Sequence, residues 1–127
     1  MIIDTSAILA IILQAPGHEL LIEKIVKSSA LWVGAPTLAE AAIVLENRIG
    51  NGSGLLVQFL HEWKISVIAF GSDHWREAVV AYSRYGKGKH RAALNFCDCL
   101  TYAVASLSRK PLLCTGSDFS KTDLTLA

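Results

Sequence analysis

The chain has 127 residues, of which 52% are hydrophobic and 18% charged, and its formal net charge is +1. This length fits one domain over residues 1–127, and so apolar a composition provides a core without disulfides and excludes intrinsic disorder. A net charge near zero excludes a globally basic nucleic-acid-binding domain, so any nucleic acid must be held by a local patch.

The first half of the chain alternates short apolar runs with amphipathic segments. Met1–Ile3 predicts a strand that ends at Asp4, and Thr5 or Ser6 is expected to cap the helix that follows. Apolar residues recur at helical spacing in three later segments. In chain order, the further predictions are a helix over Ala7–Leu13, a helix over Glu19–Lys27, a strand over Leu31–Val33, a helix from Pro36 to Ile49, a turn over Gly50–Gly54 and a helix over Leu55–Trp63.

The second half continues the same alternation. It predicts a strand over Ile65–Phe70, a helix capped by Ser72 that runs to about Tyr85, a helix with Phe96, Leu100, Ala103, Val104 and Leu107 on one face, a strand over Pro111–Cys114, a turn over Gly116–Asp118 and a last short strand over Leu124–Leu126. Strands alternating with helices predict an α/β fold with a parallel sheet covered by helices. Such sheets bind ligands beyond the carboxyl ends of their strands, where Asp4 and Asp118 are expected to lie.

Cys97, Cys99 and Cys114 are the only cysteines, and an odd number argues against a disulfide framework. Cys97-Asp98-Cys99 lacks the second ligand pair that a structural zinc site needs, so the thiols are interpreted as small buried hydrophobes. The N-terminus has no basic leader, and the apolar runs are too short to span a bilayer. The expected location is therefore the cytoplasm, away from membranes.

Four acidic residues attract attention as candidate ligands: Asp4, Glu40, Asp98 and Asp118. Each also has an ordinary structural role open to it. Asp4 can cap a helix, Thr37-Leu38-Ala39-Glu40 fits a capping box, Asp98 suits the dipole of a helix start, and Asp118 can form an Asx turn. Asp98, however, lies among apolar neighbours, where a carboxylate is costly to desolvate without a partner.

The segments around these acids are Ile-Ile-Asp-Thr-Ser at the N-terminus, Pro-Thr-Leu-Ala-Glu, Leu-Asn-Phe-Cys-Asp-Cys-Leu-Thr-Tyr-Ala and Thr-Gly-Ser-Asp-Phe. In this order and spacing, the chain resembles a PIN-domain nuclease over essentially its whole length, and most closely the VapC toxins of bacterial toxin–antitoxin pairs. The resemblance implies a three-layer α/β/α sandwich with a central, mainly parallel sheet.

The resemblance also implies an acidic catalytic pocket formed by the four carboxylates. Asp4 and Asp98 are then expected to bind metal, and the polar residues near the metal are expected to be Thr5, Ser6 and Thr115. Two positions depart from the family pattern: Ser117 stands where Asn is frequent, and Cys97 stands where Gly is common. Neither departure removes a ligand, but Ser117 leaves open how Asp118 is held.

Carboxylate oxygens suit hard cations such as Mg²⁺ and Mn²⁺, which relieve the repulsion among crowded acids. Such an ion lowers the pKa of a bound water and stabilises charge on a phosphate, which permits hydrolysis without a protein nucleophile. A metal-free ribonuclease would instead need a pair of histidines for acid and base work, and the four histidines of this chain form no persuasive pair. The resemblance implies products with 5′-phosphate and 3′-hydroxyl ends.

A basic segment, Arg84–Arg91, precedes the helix that carries Asp98 and is called the basic loop below. Lys87, Lys89, His90 and Arg91 are its candidate RNA contacts, and Tyr85 is a candidate for stacking on a base. The ordinary alternative is a solvated surface loop. By resemblance, the other expected partners are a cognate antitoxin, whose tail blocks the acidic pocket, and a second copy of the chain in a homodimer.

Other functional classes fit less well. A receiver-like signalling domain needs an acceptor Asp after its middle strand, where this chain has Gly71-Ser72 followed by a helix-capping Asp73. A haloacid-dehalogenase-type phosphatase needs an Asp two residues after Asp4, where Ser6 stands. A PIN fold that only binds RNA or a partner is opposed by the full acid set. A PIN nuclease that processes RNA without an antitoxin remains the main alternative.

Overall fold

The computed structural model describes all 127 residues and contains a parallel sheet of four strands in the order β3-β2-β1-β4. The strands are β1 (Ile2–Ile3), β2 (Trp32–Gly34), β3 (Ser66–Ile68) and β4 (Leu112–Leu113). The helices are α1 (Thr5–Ile12), α2 (His18–Val26), α3 (Ala35–Ile49), α4 (Gly52–Glu62), α5 (Ser72–Tyr85) and α6 (Phe96–Ser108), followed by a short 3₁₀ turn over Phe119–Lys121.

The sheet separates two hydrophobic cores. Successive side chains of a strand point to opposite faces, so Ile3 and Leu113 pack in one core while Ile2 and Leu112 pack in the other. Helices α1 to α4 cover the first face, and α5 and α6 cover the second. The predicted three-layer α/β/α sandwich with a parallel sheet is confirmed.

Several helix starts differ from the predictions. Ser72 does not cap α5, because it already lies in the helix and Gly71 is the N-cap. Asp4, and neither Thr5 nor Ser6, caps α1, because its carboxylate accepts the backbone N–H of Ser6 at 2.9 Å. The predicted turn at Gly50–Gly54 shrinks to two residues, Gly50 and Asn51, which both have positive φ. The remaining glycines join α4, whose first N–H, on Gly52, donates to Glu46 Oε2 at 2.7 Å.

The other departures concern strand lengths and the buried side of α6. Strands β1, β3 and β4 are shorter than predicted, and β2 keeps its predicted length but lies one residue later. Leu126 makes only an isolated bridge to Leu112 in place of the last predicted strand. The predicted apolar face of α6 is partly wrong, because Phe96 is 75% exposed and Leu107 is also exposed. Burial is concentrated in the middle of α6, over residues 101–105. No helix is both long and apolar enough to cross a membrane.

Candidate active site

Asp4 lies where β1 ends and α1 begins, and its side chain is held firmly in place. The residue is only 5% exposed. Its Oδ2 accepts the backbone N–H of Ser6 at 2.9 Å and the Ser6 hydroxyl at 2.6 Å. The Ser6 hydroxyl oxygen in turn accepts the backbone N–H of Thr115 at 2.9 Å, which ties the loop after β4 to the loop after β1. The neighbouring strands β1 and β4 therefore deliver their carboxyl ends to one place.

Glu40 reaches the same edge from α3. The capping-box interpretation of residues 37–40 is wrong, because α3 begins at Ala35 with Gly34 as its N-cap, so Thr37 already lies inside the helix. The Glu40 carboxylate is free of that role and instead accepts the hydroxyl of buried Thr5 at 2.6 Å. The strand-to-helix turn that carries Asp4 therefore also orients Glu40.

Asp98 occupies the first turn of α6 and forms a reciprocal cap with Asn95. The N–H of Asp98 donates to Asn95 Oδ1, and the N–H of Asn95 donates to Asp98 Oδ2, both at 2.9 Å. Burial raises the pKa of Asp98 above its ordinary value, while the hydrogen bond from the Asn95 N–H lowers it. The negative charges of Asp4, Asp118 and Glu40 raise the pKa further. The other three acids therefore lie within electrostatic reach of Asp98.

Asp118 differs from the other three acids in being exposed. It follows β4, at the N-terminal side of the 3₁₀ turn, and forms an ion pair with Lys121 at 3.9 Å. No side-chain hydrogen bond caps that turn. Thr115, in the same loop, is exposed as well and contributes its backbone N–H to the Ser6 contact. Asp118 is thus the loosest member of the acid set.

The arrangement of these acids fits a hard divalent ion by the chemistry of its donors. Carboxylate oxygens and hydroxyls are the ligands that Mg²⁺ and Mn²⁺ take. No three His, Cys, Asp or Glu side chains lie close enough together to form a complete cage. Mg²⁺ usually keeps several waters and takes one or two protein carboxylates, so a complete cage is not needed.

Sequence reasoning missed several residues that adjoin the acids. Burial, together with the charge of Glu40 and a hydrogen bond to it, raises the pKa of the Cys97 thiol. Burial, and then mainly the charge of Asp4, raises the pKa of Cys114 to about 11. The thiols therefore remain protonated at neutral pH; Cys99 is buried as expected, whereas Cys97 and Cys114 are only half-buried. The buried hydroxyls of Thr37 and Thr101, on the helices that carry Glu40 and Asp98, lie 3.2 Å apart.

The residues of the basic loop differ in their exposure to solvent. Lys87, Lys89 and Arg91 are exposed, whereas His90 is half-buried and its Nδ1 accepts the N–H of Ala92 at 3.1 Å. The expectation that Tyr85 stacks on a base is wrong. It ends α5 and is buried in the second core, where its ring lies edge-on to His90 and beside Tyr102.

Comparisons with known proteins agree with this geometry. The profile of the PIN domain family matches residues 1–124. A VapC ribonuclease of Mycobacterium bovis is 43% identical over 126 residues, covering 98% of this chain and 91% of that protein. The crystal structure of VapC20 of Mycobacterium tuberculosis, a toxin that cleaves the sarcin–ricin loop, superposes with a TM-score of 0.79 at 17% identity, covering 99% of this chain and 97% of that one. The crystal structure of VapBC2 of Rickettsia felis, bound to a DNA fragment from the promoter, superposes with a TM-score of 0.77 at 15% sequence identity. The match covers 99% of this chain and 96% of that one.

Proposed function

The chain belongs to the PIN-domain family and is a relative of the VapC ribonucleases, and we propose that it is a Mg²⁺- or Mn²⁺-dependent endoribonuclease that acts as the toxin of a toxin–antitoxin pair. The proposal treats residues 1–127 as one nuclease domain working in the cytoplasm. Its substrate is RNA, and its products carry 5′-phosphate and 3′-hydroxyl ends.

The observation that carries the proposal is the convergence of acids at one edge of the sheet, where the turn that holds Asp4 also orients Glu40 through the Thr5 hydroxyl. Burial first, and then the charges of the other three acids, raise the pKa of the half-buried Asp98, against the hydrogen bond from Asn95. Such repulsion costs stability, and nearby lysine compensates for only one of the four acids, Asp118. A divalent ion relieves the repulsion, and this supports a metal-binding role for the cluster.

In the proposed mechanism, Asp4 and Asp98 hold the metal, while Glu40 and Asp118 complete the acidic pocket. When bound, the ion supplies an activated water and stabilises charge on the scissile phosphate. The remaining protein groups maintain the geometry. Ser6 and Thr115 fix Asp4, and Thr5 holds Glu40 by its hydroxyl.

RNA must be attracted by groups outside the pocket, because the acids repel phosphate. The exposed cations of the basic loop, Lys87, Lys89 and Arg91, are proposed to contact the backbone of the substrate, with His90 beside them. Gly88 has a φ of +84° and no side chain within 4 Å of its Cβ position, so the chain can approach a phosphate closely there. The loop lies just before the helix that carries Asp98.

Two protein partners are proposed. The first is a cognate antitoxin whose basic side chain enters the acidic pocket and competes with metal. The second is another copy of this chain, docked on an open groove of about 580 Å³ between α5 and α6. All eight residues lining it are hydrophobic, and they include the exposed side chains of Phe96, Trp75, Val79 and Tyr82. So contiguous an apolar surface favours association.

The decisive experiment is RNA cleavage by the purified chain in Mg²⁺, in Mn²⁺ and in excess EDTA. Cleavage is expected with either ion and is expected to disappear in EDTA. Asp4→Asn and Asp98→Asn are expected to abolish cleavage while leaving the fold intact. Asp73→Asn is the matched control, because Asp73 is an exposed acid in the first turn of α5. Full activity in both pocket variants would overturn the proposal.

The toxin role has its own test. Expression of the wild-type chain is expected to arrest growth, and co-expression of an antitoxin encoded beside it is expected to restore growth. An Asp98→Asn chain expressed at the same level is expected to be harmless. Growth unaffected by a well-expressed, active wild-type enzyme would favour the alternative, an RNA-processing nuclease without an antitoxin.

A further inference from the structure

Two buried hydroxyls lie on the helices that carry Glu40 and Asp98 and take no part in the mechanism above. Thr37 on α3 and Thr101 on α6 are 3% and 2% exposed, and their Oγ1 atoms lie 3.2 Å apart. Helix α3 belongs to the layer on one face of the sheet and α6 to the layer on the other. The contact therefore joins the two helical layers directly.

This pair is the middle step of a regular series of contacts. One step earlier, Gly34, the N-cap of α3, packs so tightly on Val104 that an added Cβ would lie 2.9 Å from Val104 Cγ2. One step later, Glu40 lies near enough to Cys97 and Asp98 for its charge to add to the effect of burial in raising the pKa of both groups. Positions 34 and 37 thus contact positions 104 and 101, and position 40 continues the same direction towards 97–98. The register that aligns the two threonines is the same register that brings Glu40 to Asp98.

Packing alone does not require hydroxyls at this place. A valine side chain has nearly the same shape as a threonine side chain, and a valine pair carries no polar group that must be satisfied in the interior. Replacing both partners of a buried hydrogen bond by apolar groups of the same shape is often nearly neutral for stability. A hydrogen bond, however, fixes distance and direction, whereas two apolar surfaces can slide past one another.

The Thr37 backbone links this contact to the acidic pocket through Glu40. Its carbonyl oxygen lies 3.5 Å from the Thr5 hydroxyl, which donates to Glu40 Oε2 at 2.6 Å. A shift of Thr37 along α6 would therefore move the group that orients Glu40 as well as Glu40 itself.

We propose that the Thr37–Thr101 hydrogen bond is a positioning contact that sets the spacing between Glu40 and Asp98 and thereby the affinity of the acidic pocket for its divalent ion. This inference rests on the proposed function, since it assumes that the pocket binds metal. Neither threonine touches an acid directly, so both act through the helices that carry Glu40 and Asp98.

The test is a calorimetric titration of the RNA-free protein with Mn²⁺, performed beside thermal melts. Thr37→Val and Thr101→Val are each expected to raise the Kd for Mn²⁺ about tenfold, as for other groups that support metal ligands. The double valine variant leaves no unpaired hydroxyl, so its melting temperature should recover towards that of the wild type. Its Kd should stay about as high as in the single variants. Thr101→Ser keeps the hydroxyl and should restore the affinity.

Ser106→Ala is the matched control on the same helix. Its hydroxyl donates to Glu77 on α5 at 2.7 Å, so the substitution removes a hydrogen bond of α6 that points away from α3. Its Kd for Mn²⁺ should equal that of the wild type. A double valine variant whose affinity recovers together with its stability would overturn the inference and leave only a structural role. If Asp98→Asn also bound Mn²⁺ normally, the proposed function itself would fail.

Discussion

Tyr102→Phe removes a single hydroxyl from the second core and tests how the C-terminal segment is anchored. Tyr102 is 2% exposed, and its hydroxyl donates to Asp123 Oδ1 at 2.6 Å. Arg84 completes the anchor through a 3.4 Å ion pair with Asp123. A phenylalanine ring would keep the packing against Tyr85, so the substitution changes the hydrogen bond and little else.

The cost of this substitution follows from the exposure of the acceptor. A hydrogen bond to a charged group contributes about 1.5 to 3 kcal/mol. The Asp123 side chain is 52% exposed, so water will hydrate its carboxylate when the Tyr102 hydroxyl is removed. The expected loss of stability therefore lies at the lower end of this range, at about 1.5 kcal/mol. With an unfolding entropy of about 2.1 cal/mol/K per residue, this loss lowers the melting temperature of a chain of this length by about 6 °C.

The loss should also depend on pH in a defined direction. The hydrogen bond from Tyr102, together with the charge of Arg84, lowers the pKa of Asp123 below its ordinary value. The stability that the ionised Asp123 gains from these contacts is fully present above the pKa of the unfolded state, about 4. It disappears as pH falls through the lower pKa of the folded state. Burial and the bond to Asp123 raise the pKa of Tyr102, so wild-type stability should also fall as pH rises past about 10.

Urea denaturation from pH 2 to pH 7 measures the loss of stability at neutral pH and its decline in acid, with Tyr82→Phe as control, and a wild-type series from pH 8 to pH 11 measures the fall in alkali. Tyr82 lies on α5, is 44% exposed and makes no hydrogen bond through its hydroxyl, so its variant should match the wild type. A Tyr102→Phe variant as stable as the wild type at pH 7 would refute the reasoning. So would a difference that remained undiminished at pH 2.

Three further predictions concern other parts of the molecule. Asp98→Asn should raise the melting temperature in metal-free buffer at neutral pH but not in acid, because the raised pKa of Asp98 means that its ionisation lowers the stability of the fold. A melting temperature equal to that of the wild type at every pH would contradict this. Gly52→Ala should lower the free energy of unfolding in urea by about 2 kcal/mol, because the added Cβ would lie 2.2 Å from the carbonyl oxygen of Ala42. Gly71→Ala is the control and should change the stability little, because no atom lies nearer than 4.0 Å to its Cβ position. Replacing the three exposed cations of the basic loop by alanine should weaken RNA binding and reduce its salt dependence by roughly 0.7 per lost phosphate contact; an identical slope would show that the loop does not hold RNA.

The sequence predicted the architecture well because hydrophobic periodicity reports which side of an element is buried. The order of strands and helices and the parallel sheet follow from that pattern. The boundaries were less accurate because local hydrogen bonds decide them. Gly52 enters a helix because Glu46 accepts its N–H, and Asp4 caps α1 because its carboxylate reaches Ser6.

The individual side-chain contacts between helices could not be predicted from the sequence. Thr5 and Glu40 are distant in the chain, and no periodicity relates them, although their side chains meet at 2.6 Å. Tyr85 looked available to RNA because its sequence neighbours are basic, but packing against Tyr102 buries it. The pairing of Thr37 with Thr101 depends on the crossing of two helices, which the sequence pattern does not specify.

The most direct test of the central claim is the chemistry of the RNA ends that the purified chain produces in Mg²⁺. Metal-assisted hydrolysis at the four carboxylates predicts 5′-phosphate and 3′-hydroxyl ends, none of which form in EDTA or with Asp98→Asn. Fragments ending in 2′,3′-cyclic phosphate, formed equally well in EDTA and with Asp98→Asn, would contradict the account.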